Sequence, residues 1–154
     1  LDPAAIPPDL QSRLARVASL DELVPQSDLL TVHTPLTEET RGLIDGPLLD
    51  RLPRGAWLLN LARGAIVDEA ALLSRLPDPT GNDGDASGHL GGAALDVFAS
   101  EPLAADSPLR RHPAVLLTPH IGGATADAQR RMGQMAVDNL FDHHAGHPSP
   151  NRIV

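Results

Sequence analysis

Cysteine is missing from this chain of 154 residues, and its absence excludes disulfide bonds, thiolate nucleophiles and cysteine metal sites. Aromatic side chains are nearly missing as well, since the sequence has one Trp, two Phe and no Tyr. Leucine, valine, isoleucine and alanine must therefore fill the core. No apolar run approaches the roughly 18–20 residues that a membrane-spanning helix needs. Nor does the chain open with a basic and apolar secretory leader, and we expect a cytoplasmic protein with no membrane partner.

Basic residues are scarce, because 12 Lys and Arg stand against 20 Asp and Glu, which gives a formal net charge of −8. This balance argues against non-specific nucleic-acid binding, since that function needs Lys and Arg to neutralise phosphates. A length of 154 residues is typical of one domain. The first residue is Leu1 and not Met, and we expect the sequence to be a piece of a longer protein.

Short apolar runs alternate with helix signals along the sequence. The runs predict strands at residues 29–33, 56–59, 91–97 and 115–118. Helices are predicted at 10–15, 47–52 and 69–76, after Ser19 and after Thr125, with N-caps at Ser19, Asp45, Asp68 and Thr125. Residues 77–89 are rich in Pro, Gly, Asn and Asp and predict an exposed loop. The alternation indicates an α/β fold, a parallel sheet with helices on both faces.

Ligands bind beyond the carboxyl ends of the strands in such sheets, so the residues after each strand are the first candidates for a site. Arg63 follows the second strand, and its planar guanidinium could clamp a carboxylate through two parallel hydrogen bonds. His120 follows the fourth strand, where an imidazole suits proton transfer. Glu101 follows the third strand and would orient the His120 ring and favour its protonated form. The alternatives are a surface arginine, a loop histidine bonded to a backbone carbonyl, and a solvated glutamate.

Other polar patterns are less informative. His33 opens a segment that could line the edge of a cofactor or simply form a turn. His143, His144 and His147 are loosely spaced at a helix end, so we interpret them as a solvated face and predict no metal site. The sequence has neither a Gly-x-Ser-x-Gly nucleophile elbow nor a phosphate-binding Gly-Lys-Ser/Thr loop.

The order of these signals is more specific than any one of them. It is carried by four segments, SDLLTVHTPLT at 27–37, NLARGAIVDE at 60–69, GAALDVFASEP at 92–102 and LTPHIGG at 117–123. Together they resemble the NAD-binding domain of the D-isomer-specific 2-hydroxyacid dehydrogenases, of the phosphoglycerate dehydrogenase type. The resemblance implies a Rossmann-type fold, NAD as cofactor, a small 2-hydroxy or 2-oxo acid as substrate, and a homodimer.

The resemblance also assigns roles to individual residues. Arg63 matches the arginine that holds the substrate carboxylate and polarises the carbonyl, His120 matches the acid/base, and Glu101 matches the partner that raises the proton affinity of the histidine. Asp96 would meet the nicotinamide carboxamide, and Asp2 would bond the adenosine ribose, which favours NAD over its 2′-phosphorylated form. The other positions implied around the cofactor are His33, Leu61, Ala62, Arg63, His120, Gly122 and Gly123.

The sequence departs from the family pattern in three respects. The first strand and the Gly-x-Gly-x-x-Gly phosphate loop that should precede Asp2 are absent, the substrate domain is absent, and the loop at 77–89 is longer. We therefore expect residues 1–147 to be a partial dinucleotide-binding domain and 148–154 a tail towards the absent substrate domain. The intact parent would be an NAD-dependent dehydrogenase that transfers a hydride at C2 of the acid, and this chain alone would be inactive. An NAD-sensing interaction module of the corepressor type and an inactive truncated product remain as alternatives.

Overall fold

A computed structural model describes residues 7–11, 13–78 and 88–148. Its centre is a four-stranded sheet in which every neighbouring pair is parallel, in the order β1-β2-β3-β4. The strands are β1 (Leu29–Val32), β2 (Trp57–Asn60), β3 (Gly92–Leu95) and β4 (Val115–Leu117). Each of them lies within a predicted apolar run, apart from Asn60, which extends β2 by one residue. The parallel α/β fold is therefore confirmed.

Five α-helices occur in the described part of the chain. They are α1 (Pro8–Gln11), α2 (Leu20–Leu23), α3 (Gly46–Leu49), α4 (Glu69–Leu73) and α5 (Ala126–His144). The four predicted N-caps are confirmed, since the side chains of Ser19, Asp45, Asp68 and Thr125 each accept a backbone N–H from the first turn of their helix. Helix α1 covers Pro8–Gln11 and not residues 10–15, so the predicted helix is wrong at residues 13–15, which are not helical. Its start at Pro8 suits the preference of proline for a first helical position.

Helices α3 and α4 each end three residues earlier than predicted, and α3 begins one residue earlier, at Gly46. The chain beyond them continues with tighter bonds that span three residues, such as the one from the Leu52 N–H to the Leu49 carbonyl and the one from the Leu76 N–H to the Leu73 carbonyl. Such bonds are a common way to satisfy the last carbonyls of a helix. The predicted lengths were therefore too long because the apolar spacing runs on through these final turns.

The core lies on one face of the sheet. Leu30, Leu58 and Leu95 point into it from the strands and are buried, as are Leu49 and Leu72 from the helices. Residues on the other face alternate with these and are far more accessible. Leu29 is 55% exposed, Trp57 43% and Leu116 65%. Helical cover was expected on both faces, but among the described residues this second face is largely open to solvent.

Helix α5 is the longest element, yet none of its residues is buried. Met132, Met135 and Leu140 follow the predicted helical spacing and remain exposed. The periodicity correctly indicated a helix, but it does not bring this apolar stripe into the core. In the described ranges, none of the helices combines the length and hydropathy needed to cross a bilayer.

The loop predicted at 77–89 is packed at its ends. The His89 ring bonds the Leu52 carbonyl at 2.7 Å, and the His89 carbonyl accepts the Gly55 N–H at 2.8 Å. Gly88 is buried against Pro77, since a Cβ on Gly88 would lie 2.3 Å from the Pro77 nitrogen. The prediction of an exposed loop is therefore wrong at these ends, and residues 79–87 lie outside the described ranges.

Candidate active site

The candidate residues sit at the carboxyl end of the sheet, as parallel strands require. Arg63 follows β2, Asp96 and Glu101 follow β3, and His120 follows β4. Because β2, β3 and β4 are neighbours in the sheet, the loops that carry these residues are neighbours too. The three loops therefore form one rim.

The loop after β2 is shaped by Asn60, a residue whose role the sequence analysis missed. Its side chain is buried, its amide nitrogen donates to the Arg63 carbonyl at 3.0 Å, and its amide oxygen accepts the Ala62 N–H at 3.1 Å. This pair of bonds closes the turn and leaves the Arg63 side chain exposed. The signal in the sequence is a polar residue directly after the apolar run at 56–59.

Gly64 joins the loop after β2 to the loop after β3. A Cβ added to Gly64 would lie 1.8 Å from the carbonyl carbon of Phe98 and 2.4 Å from the nitrogen of Ala99. No side chain fits in that space, so glycine alone permits the contact. The backbone before Glu101 is thereby fixed against the backbone that follows Arg63.

Glu101 and His120 are directly paired, as the resemblance implies. The Nδ1 of His120 lies 2.7 Å from Oε2 of Glu101, and the Phe98 N–H donates to Oε1 at 3.0 Å. The hydrogen bond from His120 holds the pKa of Glu101 below its ordinary value, and the Phe98 N–H and the charge of Arg63 act in the same direction. Glu101 is therefore a carboxylate at neutral pH, and Nδ1 must be the protonated nitrogen that donates to it.

Asp96 organises the loop that carries His120. Its buried carboxylate accepts the Thr118 hydroxyl at 2.5 Å, the Ile121 N–H at 2.9 Å and the Gly122 N–H at 2.8 Å. Burial opposes the charge of Asp96, but these three donors outweigh it and hold its pKa below the ordinary value. The bonds fold residues 118–122 around one carboxylate, and sequence reasoning missed the part that Thr118 plays.

His120 has an unusual backbone conformation. Its φ is +55°, which places a non-glycine residue in the left-handed region. Such strain persists where the surrounding structure fixes it, and here the bonds to Asp96 anchor the residues on both sides of His120. The turn that carries the imidazole is therefore held in one backbone conformation.

The predicted site residues fall into two neighbouring groups. His120 and Glu101 line a cavity of about 370 Å³ together with Phe98 and Thr118. His33, Leu61, Ala62 and Arg63 line a second cavity of about 450 Å³. The charge of Arg63 links the groups, because it contributes to the lowered pKa of Glu101.

The remaining candidates are less closely tied to these groups. Gly122 lies against Asp96, since a Cβ there would be 3.0 Å from Oδ2. A Cβ on Gly123 would meet no atom within 4 Å. Asp2 lies outside the described residues. Within the ranges that are described, no group of three or more His, Asp or Glu side chains could hold a metal ion.

Comparison with known families decides the assignment of the chain. The model of the family described as "D-isomer specific 2-hydroxyacid dehydrogenase, NAD binding domain" matches residues 2–122. The chain belongs to this family. The resemblance noted in the sequence is therefore confirmed, and the cofactor of the matched domain is NAD.

Members of this dehydrogenase family are similar to the chain in sequence and in structure. D-3-phosphoglycerate dehydrogenase of Bacillus subtilis (strain 168) is 40% identical over 135 residues, which cover 88% of this chain and 24% of that protein. (S)-Sulfolactate dehydrogenase of Chromohalobacter salexigens is 44% identical over 125 residues, covering 81% and 38%. A D-isomer specific 2-hydroxyacid dehydrogenase from Xanthobacter autotrophicus Py2, crystallised with NADPH and MES, matches with a TM-score of 0.73 at 41% identity, covering 88% of this chain and 51% of that one. The chain thus spans 24% and 38% of the length of the two curated relatives.

Proposed function

We propose that this chain belongs to an NAD-dependent enzyme that interconverts a small 2-hydroxy acid and the corresponding 2-oxo acid. The observation that carries the proposal is the Glu101–His120 pair, bonded at 2.7 Å on the same rim as Arg63. An imidazole held by a carboxylate next to a guanidinium suits proton exchange with a substrate that itself carries a carboxylate. Membership of a dehydrogenase family makes the reaction an oxidoreduction.

The proposal extends to the organisation of the protein. Residues 1–147 would form part of the dinucleotide-binding domain, and residues 148–154 would lead towards a substrate domain. We also propose a cytoplasmic homodimer with no nucleic-acid or membrane partner. The homodimer is proposed from the resemblance to the family, and the lack of a nucleic-acid partner from the formal net charge of −8.

The residues present fit the nicotinamide half of NAD. The cavity formed by His33, Leu61, Ala62 and Arg63 lies at the carboxyl end of parallel strands, where dinucleotides bind in folds of this type. Asp96 is a carboxylate at the carboxyl end of β3, 5% exposed, with the Gly122 N–H donating to its Oδ2. These residues would hold the ring, with Asp96 accepting from the carboxamide.

The proposed chemistry divides between the cofactor and this chain. NAD, when bound, supplies the hydride acceptor or donor for C2 of the acid. Arg63 would bind the substrate carboxylate through its planar fork. His120 would exchange a proton with the oxygen on C2 through Nε2, because Nδ1 is engaged by Glu101. Glu101 would hold the ring in this orientation through its hydrogen bond with Nδ1.

The substrate is proposed as a class. The two curated relatives differ in the acid that their names specify, phosphoglycerate in one and sulfolactate in the other. Both names denote a 2-hydroxy acid with a second anionic group. The described residues include those proposed to act on the carboxylate and the C2 oxygen of the substrate. They therefore support a 2-hydroxy acid as the substrate class, and the proposal does not extend to the second anionic group.

The test is the reduction of 2-oxo acids with NADH by the full-length protein that contains this chain, with His120→Ala as the variant. We expect kcat to fall by about a hundred- to ten-thousandfold, the usual contribution of a general acid. His144→Ala is the matched control, because His144 is an exposed histidine on α5. Unchanged turnover in His120→Ala would exclude the proposed acid/base. Cofactor-dependent protein binding without turnover by the wild type would instead favour an NAD-sensing module.

A further inference from the structure

Glu69 is the first residue of α4, and it contacts a loop 30 residues away in the sequence. One oxygen of its carboxylate accepts the backbone N–H of Ala99 at 2.6 Å. Ala99 lies two residues before Glu101, in the loop that presents Glu101 to His120. The bond therefore ties the start of α4 to the segment that carries a proposed catalytic carboxylate.

Glu69 is not needed to cap its own helix. Asp68 performs that function, since its Oδ1 accepts the N–H groups of Ala70 and Ala71 at 3.0 and 2.9 Å. A glutamate in a first helical turn has a favourable interaction with the helix dipole wherever its side chain points. The direction of the Glu69 side chain, across to the next loop, therefore calls for a separate explanation.

Two consecutive N–H groups of this loop, those of Phe98 and Ala99, are both held by carboxylates. Phe98 donates to Oε1 of Glu101 itself, and Ala99 donates to Glu69. The loop is also pressed against Gly64, where no Cβ fits between the two backbones. A residue of the same loop, Phe98, thus holds Oε1 of Glu101. Contacts with Glu69 of α4 and with Gly64 hold the loop itself. Oε2 is then left in line with His120.

We propose that Glu69 is a positioning residue that holds the Glu101 loop in the place where Glu101 meets His120. The inference rests on the proposed function, because it gives Glu69 a role in aligning the proposed acid/base pair. Glu69 touches neither member of that pair, and it acts through the backbone at Ala99. It adds a residue from α4 to a site otherwise built from the segments that follow the four strands.

The pKa of Glu101 reports whether its carboxylate is aligned with His120. The charged groups that act on Glu101 are His120 from the loop after β4 and Arg63 from the loop after β2, and the hydrogen bond from His120 is the main cause of its lowered pKa. If the loop shifts, that bond weakens and the pKa of Glu101 rises towards its ordinary value. A purely electrostatic effect of Glu69 has the opposite sign, since removing a nearby negative charge lowers the pKa of Glu101.

Three substitutions at Glu69 separate the effect of its side-chain length from the effect of its negative charge. Glu69→Gln keeps an acceptor oxygen at the same reach but loses the charge, Glu69→Asp keeps the charge but is one methylene shorter, and Glu69→Ala loses both. Asp68→Ala is the matched control, because it removes one negative charge and a helix cap at the adjacent position without touching Ala99. The 13Cδ resonance of Glu101 is followed by NMR through an acid titration of the full-length protein that contains this chain, with no substrate or cofactor.

We expect the Glu101 midpoint to rise in Glu69→Asp and Glu69→Ala, and to stay at or below the wild-type value in Glu69→Gln and Asp68→Ala. A midpoint that does not rise in Glu69→Asp and Glu69→Ala would overturn the proposal. An equal rise in Asp68→Ala would also overturn it, because fraying of α4 would then be the cause. Turnover is not part of this measurement, so a protein without 2-oxo acid reductase activity would refute the proposed function and leave this test of Glu69 standing.

Discussion

Replacement of Gly64 by alanine would force apart the two loops that meet beneath the proposed site. The new Cβ would lie 1.8 Å from the Phe98 carbonyl carbon and 2.0 Å from its oxygen, whereas ordinary contact begins at 3.4 Å. The loops would have to separate by the difference, 3.4 − 1.8 = 1.6 Å. Because both contacting groups are backbone, no side-chain rotation can relieve the overlap.

The cost of this substitution follows from the overlap. Gly64 does not have a positive φ, so alanine suits its backbone conformation and adds no conformational penalty there. Overpacking of well-packed sites costs about 1–3 kcal/mol, occasionally more. A backbone overlap places Gly64→Ala at the upper end, and we expect the free energy of unfolding to fall by about 3 kcal/mol. That is a large share of the roughly 5–15 kcal/mol that stabilises a typical domain.

Urea denaturation followed by far-UV circular dichroism measures this loss, with Gly133→Ala as the control. Gly133 lies inside α5, and a Cβ there would meet no atom within 4 Å. Alanine in a helix interior is more favourable than glycine by about 0.5–1 kcal/mol, so the same exchange should stabilise or leave the protein unchanged at residue 133. If Gly64→Ala unfolds at the same urea concentration as the wild type, the close approach of the two loops is refuted.

Two further predictions concern the carboxylates of the rim. Thr118→Val removes the hydroxyl that donates to Asp96 while keeping the side-chain shape, and we expect it to lower the free energy of unfolding by about 1.5–3 kcal/mol, as for hydrogen bonds to charged groups. Thr118→Ser should restore most of that loss in the same urea assay, and a valine variant as stable as the wild type would contradict the role of the hydroxyl. The pKa values of Asp96 and Glu101 lie below their ordinary values of 3.8 and 4.5, so the unfolded chain binds more protons than the folded one in acid. The free energy of unfolding should therefore fall as the pH drops below these ordinary values. Urea midpoints measured across that range should fall less steeply in Asp96→Asn. An identical slope in the variant would show that Asp96 contributes nothing to the pH dependence.

Local chemistry explains the parts of the fold that could be predicted from sequence. The strands were found because each is a short apolar run bounded by polar residues, and the N-caps because Ser, Thr and Asp accept N–H groups only a few residues away. The order of motifs along the chain predicts the pairing of Glu101 with His120. The structure then brought Glu101 and His120 into direct contact, although 19 residues separate them.

The contacts that hold the rim together could not be predicted in this way. The bond from Ala99 to Glu69 joins the loop after β3 to α4, and the approach of Gly64 to Phe98 joins it to the loop after β2. No local pattern marks either partner. The same limit applies to α5. Its apolar spacing identifies a helix, but burial depends on what lies opposite, and its residues stay exposed.

The left-handed backbone at His120 has a consequence for the choice of inactive variants. Asparagine and glycine accept this conformation more readily than other residues, whereas valine and isoleucine resist it strongly. His120→Asn would therefore remove the imidazole while sparing the shape of the turn, and His120→Val would disturb both. Loss of activity common to the two variants reports on the missing ring, and any additional loss in the valine variant measures how far the reaction depends on the turn itself.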